Sequence, residues 1–355
     1  MRILAVTNMY PTLDDPTLGV FVEQQIKGLR QIGLDVEVCL VERASRGVSS
    51  YVGLQRRLQS RICAIEPDII HVMYGGVIAR AATRVSTQTP VVVSFCGSDL
   101  LGSSSSALIP KLMAEYGVWA SHRAAIQADG IIVKSANLLN ALPANVNRSK
   151  VKVIPNGVDL ERFRPVEQGQ CRSYLKWRPD RFHVLFSSSA GNPCKRPELA
   201  VAAVTALRGL GVPTELHFLT GILPEEVPLW LNASDALILT SLTEGSPNVV
   251  KEALACNLPV VSVPVGDVSE QIEGIAGCYL STPDPSDLAD KLHCVYTSRS
   301  RVVSRARIQD LSLQGVAQRL GGFYGEVLAS FKEKQNPSGR KTNARRSGST
   351  TIALR

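Results

Sequence analysis

Glu244 and Glu252 stand eight residues apart in the stretch TEGSPNVVKEALACNLPVV (243–261). A carboxylate accepts hydrogen bonds only, and each of the two can take a vicinal pair of hydroxyls. Between them lie Gly245, Ser246, Pro247, Asn248 and Val249. Serine is a good N-cap and proline is favoured at the first helical position, so the spacing predicts a helix over about Asn248 to Cys256. Ser246 caps it and Asn257 closes it. The amides near residues 246–250 then point outward with the positive end of the helix dipole behind them, an anion pocket suited to phosphate. A ligand with phosphate in the middle and hydroxyl-bearing groups on both sides fits this layout, and a nucleotide-sugar is such a ligand.

The surrounding elements must hold that turn at a strand end. ALILTS (236–241) reads as the strand before it and PVVSVPVGD (259–267) as the strand after it. The same alternation of short apolar runs with helical patterns fills the chain. RILAVTN (2–8), LDVEVCLV (34–41), DIIHVM (68–73), PVVVSF (90–95) and DGIIVKS (129–135) read as strands of a first half. FHVLFSSS (182–189) and TELHFLTG (214–221) open a second half, and a helical stretch over 314–333 leads into the tail. This is the pattern of parallel, doubly wound sheets, and ligands of such sheets collect at the carboxyl ends of strands near a switch point. The reading is α/β, two facing Rossmann-like domains with a cleft between them. Residues 1–165 form a first domain and 166–315 a second, followed by a helix over 316–332 and a basic disordered tail over 333–355. His71 closes a strand on the cleft side, either as a core histidine or as a general base facing the cleft.

Composition narrows the class. The 355 residues carry a formal net charge of +8, but seven Lys and Arg against Glu333 alone lie in 332–355, so the body is close to neutral. The body lacks the interleaved aromatic and basic residues of a nucleic-acid binder. The tail reads as solvated chain, with contact to an anionic membrane surface as its other use. The eight cysteines form no CxxC pair and sit mostly in apolar runs, and the five histidines show no ligand spacing. The opening apolar run is too short for a signal peptide, and no stretch is long and apolar enough to span a membrane. The expectation is a cytoplasmic protein with free thiols, at most peripheral on the inner face of the membrane.

TEGSPNVVKEALACNLPVVSVPVGD resembles the EGxPxxxxEAxAxGxPVV signature of the retaining GT-B glycosyltransferases of family 4 (group 1). VIPNGVDLERFRP (153–165) resembles that family's interdomain stretch, NPCKRPELA (192–200) its phosphate-contacting lysine segment, and LGVFVEQQIKGL (18–29) its first loop and helix. DIIHVMYGG (68–76) and VVSFCGSDL (92–100) resemble its acceptor-side loops. The resemblance covers about residues 1–330. It implies a hexosyl transfer from a nucleotide-diphosphate sugar to a glycan or lipid-linked acceptor in surface-polysaccharide or glycolipid assembly, without a metal or other cofactor. Glu244 would hold the donor sugar, Glu252 the ribose and Lys195 the diphosphate. Gly19, Arg196, Gly245, Ser246, Asn248 and Val249 would complete the donor site. Cys96 and Asp99 would join Glu244 and Lys195 at the reacting centre, with His71 and Gly97 on the acceptor side.

The sequence departs from the family pattern where Cys96 replaces the usual histidine and Ser189 a frequent arginine. The segment 214–231 also runs from strand straight into helix, which abbreviates the base pocket. The alternatives are an epimerase of the same architecture, or a nucleotide-sugar-binding protein with impaired catalysis.

Overall fold

The computed structural model describes residues 1–43, 47–85, 88–102, 108–187 and 192–335. Ser189 and the tail from residue 336 lie outside them. Strands β1 (Arg2–Thr7), β2 (Asp35–Leu40), β3 (Ile69–Val72), β4 (Val91–Phe95), β5 (Gly130–Val133) and β6 (Val151–Val153) form one parallel sheet in the order β2-β1-β3-β4-β5-β6. Strands β7 (Phe182–Phe186), β8 (Thr214–Phe218), β9 (Ala236–Leu239), β10 (Val260–Ser262) and β11 (Tyr279–Leu280) form a second, ordered β11-β10-β9-β7-β8. The strands read as unbroken apolar runs because helices cover both faces of each sheet. In β1, Ile3, Leu4, Ala5 and Val6 are all fully buried; Leu4 and Val6 join the core on one face, Ile3 and Ala5 the core on the other. The expected strand over 259–267 is shorter, ending at Ser262, because Pro264 has no N–H to continue a ladder. Among the described residues no two cysteines form a disulfide. Among the described residues no helix is long and apolar enough to cross a membrane.

The final helix, Leu313–Gln335, does not stay with the second sheet. Its residues Val316, Ala317, Leu320, Phe323, Tyr324 and Val327 complete the core that Ile3, Ala5, Ile26, Leu29 and Val92 build on the first. Gly130 permits the approach, since a Cβ there would lie 2.6 Å from the Val327 side chain. The chain therefore crosses between the domains twice, and the crossings run side by side. Val158 N–H donates to the Leu311 carbonyl at 2.8 Å, and Leu313 N–H to the Val158 carbonyl at 3.1 Å.

His71 belongs to this packing and is not an acceptor-side residue. It is wholly buried, with Nε2 2.8 Å from Ser94 Oγ and Nδ1 2.7 Å from the Tyr324 hydroxyl. Burial, with the nearby Lys134 adding to it, lowers its pKa to about 3, so the ring is neutral and both nitrogens are engaged. Tyr324→Phe is expected to cost about 1–3 kcal/mol in urea unfolding by leaving His71 Nδ1 without a partner, with donor binding unchanged.

Candidate active site

Each sheet has one switch point, where the chain leaves a strand toward opposite edges: between β1 and β3 in the first, between β7 and β9 in the second. The loops after those strands form facing crevices. Lys195 follows β7 in the short turn Pro193–Lys195, and Glu244 follows β9. Their side chains meet, with Lys195 Nζ 2.6 Å from Glu244 Oε1, and the Ser241 hydroxyl donates to the same oxygen at 2.7 Å. The two loops are also laced through the backbone. Leu242 N–H donates to the Cys194 carbonyl at 2.7 Å, and the Thr240 hydroxyl reaches the carbonyls of Lys195 and Arg196 at 2.7 and 2.9 Å.

Arg196 belongs to this lacing. It holds a left-handed backbone (φ +49°), and its guanidinium donates to the carbonyls of Thr240 at 2.6 Å and Ser241 at 3.4 Å. The side chain expected to bind donor instead binds the end of β9.

Across the seam the two domains touch backbone to backbone. A Cβ on Gly245 would overlap the Cys96 carbonyl oxygen, and one on Gly97 (φ +152°) would lie 3.3 Å from the Gly245 nitrogen. One on Gly266 (φ +60°) would lie 2.6 Å from the Gly245 carbonyl oxygen. Asn137 Nδ2 donates to the Glu244 carbonyl at 3.1 Å, so the first domain also fixes the backbone of the glutamate. Gly19 (φ +70°) starts the first helix, where any side chain would strike the backbone of Met9 and Tyr10.

The loop 96–99 departs from its expected chemistry. Asp99 is buried, and its carboxylate accepts the amides of Gly75 at 2.8 Å, Cys96 at 3.0 Å and Gly97 at 2.7 Å. Burial raises its pKa while those amides oppose the rise. The Cys96 thiol is pushed up to about 12 by burial and, secondarily, by Asp99, so it is neutral near pH 7 and neither a nucleophile nor a base. Asp99 thus spends its carboxylate on shaping the loop, and the Cys96 carbonyl is the part of that residue that meets Gly245.

The helix after Glu244 starts at Asn248 as expected, but Ser246 does not cap it. It spans Asn248–Ala255 with Pro247 at the cap position and no side-chain cap bond. Ser246 is diverted by Lys251, a fully buried ammonium that donates to its hydroxyl at 3.0 Å and to the Asn156 carbonyl at 3.2 Å. Burial lowers the Lys251 pKa to about 8, against the opposing pull of Asp267, which also bonds Ser246. Asn248 Oδ1 accepts from Asn156 Nδ2 at 3.3 Å, and the Val249 side chain is core. These two positions offer a ligand their amides.

Sequence reasoning missed Lys134, Asn137, Lys251, Gly266 and Asp267. The signal for Lys134 was a lysine closing the apolar strand GIIV. It is buried, with Nζ 3.2 Å from Gln25 Oε1, and burial lowers its pKa.

Glu252 lies on the second turn, half-buried, and its carboxylate meets no hydrogen-bond donor among the described residues. Burial pushes its pKa up to about 7, although Lys251 and Arg162 pull it down. Between the ordinary 4.5 and about 7 the folded chain keeps a proton that the unfolded chain has released, so Glu252 loses stability as pH rises through that window. Glu252→Gln is expected to leave Tm unchanged at pH 4.5 and to raise it above pH 7 by about 2–4 °C for each kcal/mol of relief. Calorimetry at the two pH values checks the difference.

The chain matches two family descriptions that tile its two domains: Glycosyltransferase Family 4 over residues 18–162 and Glycosyl transferases group 1 over residues 185–298. It is 25% identical over 332 residues to TuaC of Bacillus subtilis (strain 168), whose name gives it the part of a glycosyltransferase in teichuronic acid biosynthesis; the match covers 76% of this chain and 82% of that protein. It is 29% identical over 177 residues to the D-inositol 3-phosphate glycosyltransferase of Paenarthrobacter aurescens (strain TC1), covering 41% of this chain and 43% of that relative, about half its length. Among solved structures, sucrose-phosphate synthase from Thermosynechococcus elongatus superposes with a TM-score of 0.77 at 17% identity, over 93% of this chain and 100% of that one. Anabaena HepE in complex with UDP and glucose superposes at 0.70 and 19%, with the same coverage. At such identities the likeness bears on the fold.

Proposed function

We propose, from the premise that this chain belongs to the family 4, group 1 glycosyltransferases, that it moves a sugar, with retention, from a nucleotide-diphosphate donor lying across the seam. The observation that carries the reading is the Lys195–Glu244 pair at 2.6 Å, set on the switch-point loops of the second sheet and pressed against loop 96–99 of the first. A diphosphate in that crevice meets the Lys195 ammonium and the amides after Gly245, while Glu244 accepts from sugar hydroxyls and Glu252 from the ribose. As the bond from the sugar's anomeric carbon to phosphate oxygen breaks, negative charge grows on the leaving diphosphate, where fixed donors are most effective. The acceptor oxygen then bonds the same face of the sugar, and its proton passes to the departing phosphate oxygen. Cys96 supplies no base, which supports that assignment of the proton. The similarity to TuaC supports an acceptor that is a growing glycan or a lipid-linked precursor of one.

The test is a thermal-shift screen of the full chain against UDP-, GDP-, ADP- and TDP-sugars, followed by nucleotide-release assays with the best donor. A rise in Tm with one donor class, and release of its nucleotide on adding acceptor, is expected. No stabilisation by any donor, and no release, would overturn the reading.

A further inference from the structure

The histidines show no ligand spacing along the chain, yet the sheet register assembles one. His183 of β7 is paired with Glu215 of the edge strand β8, and His217 lies two residues beyond Glu215. Side chains alternate along a strand, so all three share one face. His183 Nδ1 and His217 Nε2 are 2.8 Å apart, and Glu215 Oε2 is 3.8 and 3.9 Å from these atoms. Together they form a triangle of two imidazoles and one carboxylate.

We propose that His183 Nδ1, His217 Nε2 and the Glu215 carboxylate bind one divalent ion of the zinc class, at a site separate from the seam. The His183 ring is already set for it. Its Nε2 lies 2.7 Å from the Arg178 carbonyl, to which it can only donate. That contact fixes the tautomer and leaves the Nδ1 lone pair facing His217. A metal-binding histidine commonly donates its other ring N–H to a backbone carbonyl in this way. The ring planes are held too: Trp177 stacks on His217 with centroids 3.6 Å apart and planes 7° apart, and on His183 at 4.8 Å.

The dimensions fit with little movement. Bonds of 2.0–2.1 Å in a tetrahedral shell put ligand atoms roughly 3.3 Å apart. The nitrogens need to separate by about half an ångström, and the carboxylate to close by a similar amount. His217 moves its proton from Nε2 to Nδ1 as the ion arrives, so the site gives up no net proton. Arg172, the cation facing both rings, is paired with Asp235 at 2.7 Å. The Glu215 side chain is 37% exposed, which gives the ion a way in and solvent a place in the fourth position.

Tag-free full-length protein, stripped with chelator, would be titrated with Zn2+ by calorimetry and with Co2+ by absorption. One ion per chain is expected, with a rise in Tm at excess Zn2+. His217→Asn and Glu215→Gln are each expected to weaken binding at least tenfold, while nucleotide-sugar binding stays as in wild type. Absence of stoichiometric binding below about 10 µM in the wild type would overturn the site. So would unchanged affinity in a folded variant, which would place the ion elsewhere, for example on the exposed Cys63 or Cys294. Should His217→Asn fail to fold, the surface variant Glu215→Gln and the wild-type cobalt spectrum decide alone: loss of affinity with a nitrogen–oxygen spectrum supports the site, and a thiolate band refutes it.

Discussion

Lys195→Ala is expected to lower kcat for sugar transfer by on the order of 10²–10³-fold, the usual cost of removing one preorganised donor from a site of developing negative charge. The side chains of Lys195 and Glu244 are 20% and 14% exposed, so the ammonium is held in place before any ligand arrives. Its removal also leaves the Glu244 carboxylate with the Ser241 hydroxyl as its remaining side-chain donor. Glu244→Gln keeps the shape and removes the charge. It should raise KM for the donor and lower kcat, and the double variant should lose less than the sum of the two singles because they act on one contact. Nucleotide release with and without acceptor, on variants whose melting matches wild type, measures this. Activity within threefold of wild type in Lys195→Ala would take Lys195 out of the reaction.

Gly245→Ala is expected to be comparably severe for a different reason. The added methyl would meet the Cys96 carbonyl oxygen and press on Leu138, and the first of these is backbone that cannot swing aside. Either the seam opens or the loop carrying Glu244 shifts, and a displacement of about 1 Å in a positioned group can cost 10²-fold. Each sheet keeps its own cores, so Tm should fall only modestly while kcat/KM collapses. Gly97→Ala should be milder at the contact, where its Cβ stands 3.3 Å from the Gly245 nitrogen, though its positive φ adds strain. Steady-state kinetics with small-angle scattering separates the two: an open seam enlarges the molecule, and a shifted loop does not.

The apolar runs of β1, β3, β4 and β9 were legible because strands buried on both faces leave little else to read. The turn after β9 was legible as a strand-to-helix turn, and the resemblance pointed to Lys195. What escaped was made by long-range placement. Ser246 looked like a cap because nothing local announces that Lys251 is buried and must take its hydroxyl. His71 looked like a cleft residue because its partner Tyr324 lies 253 positions away. His183 and His217 become neighbours only through the pairing of β7 with β8. The resemblance put Arg196 in the donor site beside Lys195, and only the fold shows its guanidinium bonded to the Thr240 carbonyl.

The return of the final helix to the first sheet has a consequence for biosynthesis. Ile3, Ala5 and Val92 leave the ribosome early, but the side chains that cover them, from Val316 to Val327, are among the last described residues to follow. Through most of translation, then, the part of that face which the helix Val20–Gln31 does not cover stays turned to water, and it closes only once residues 316–327 have emerged.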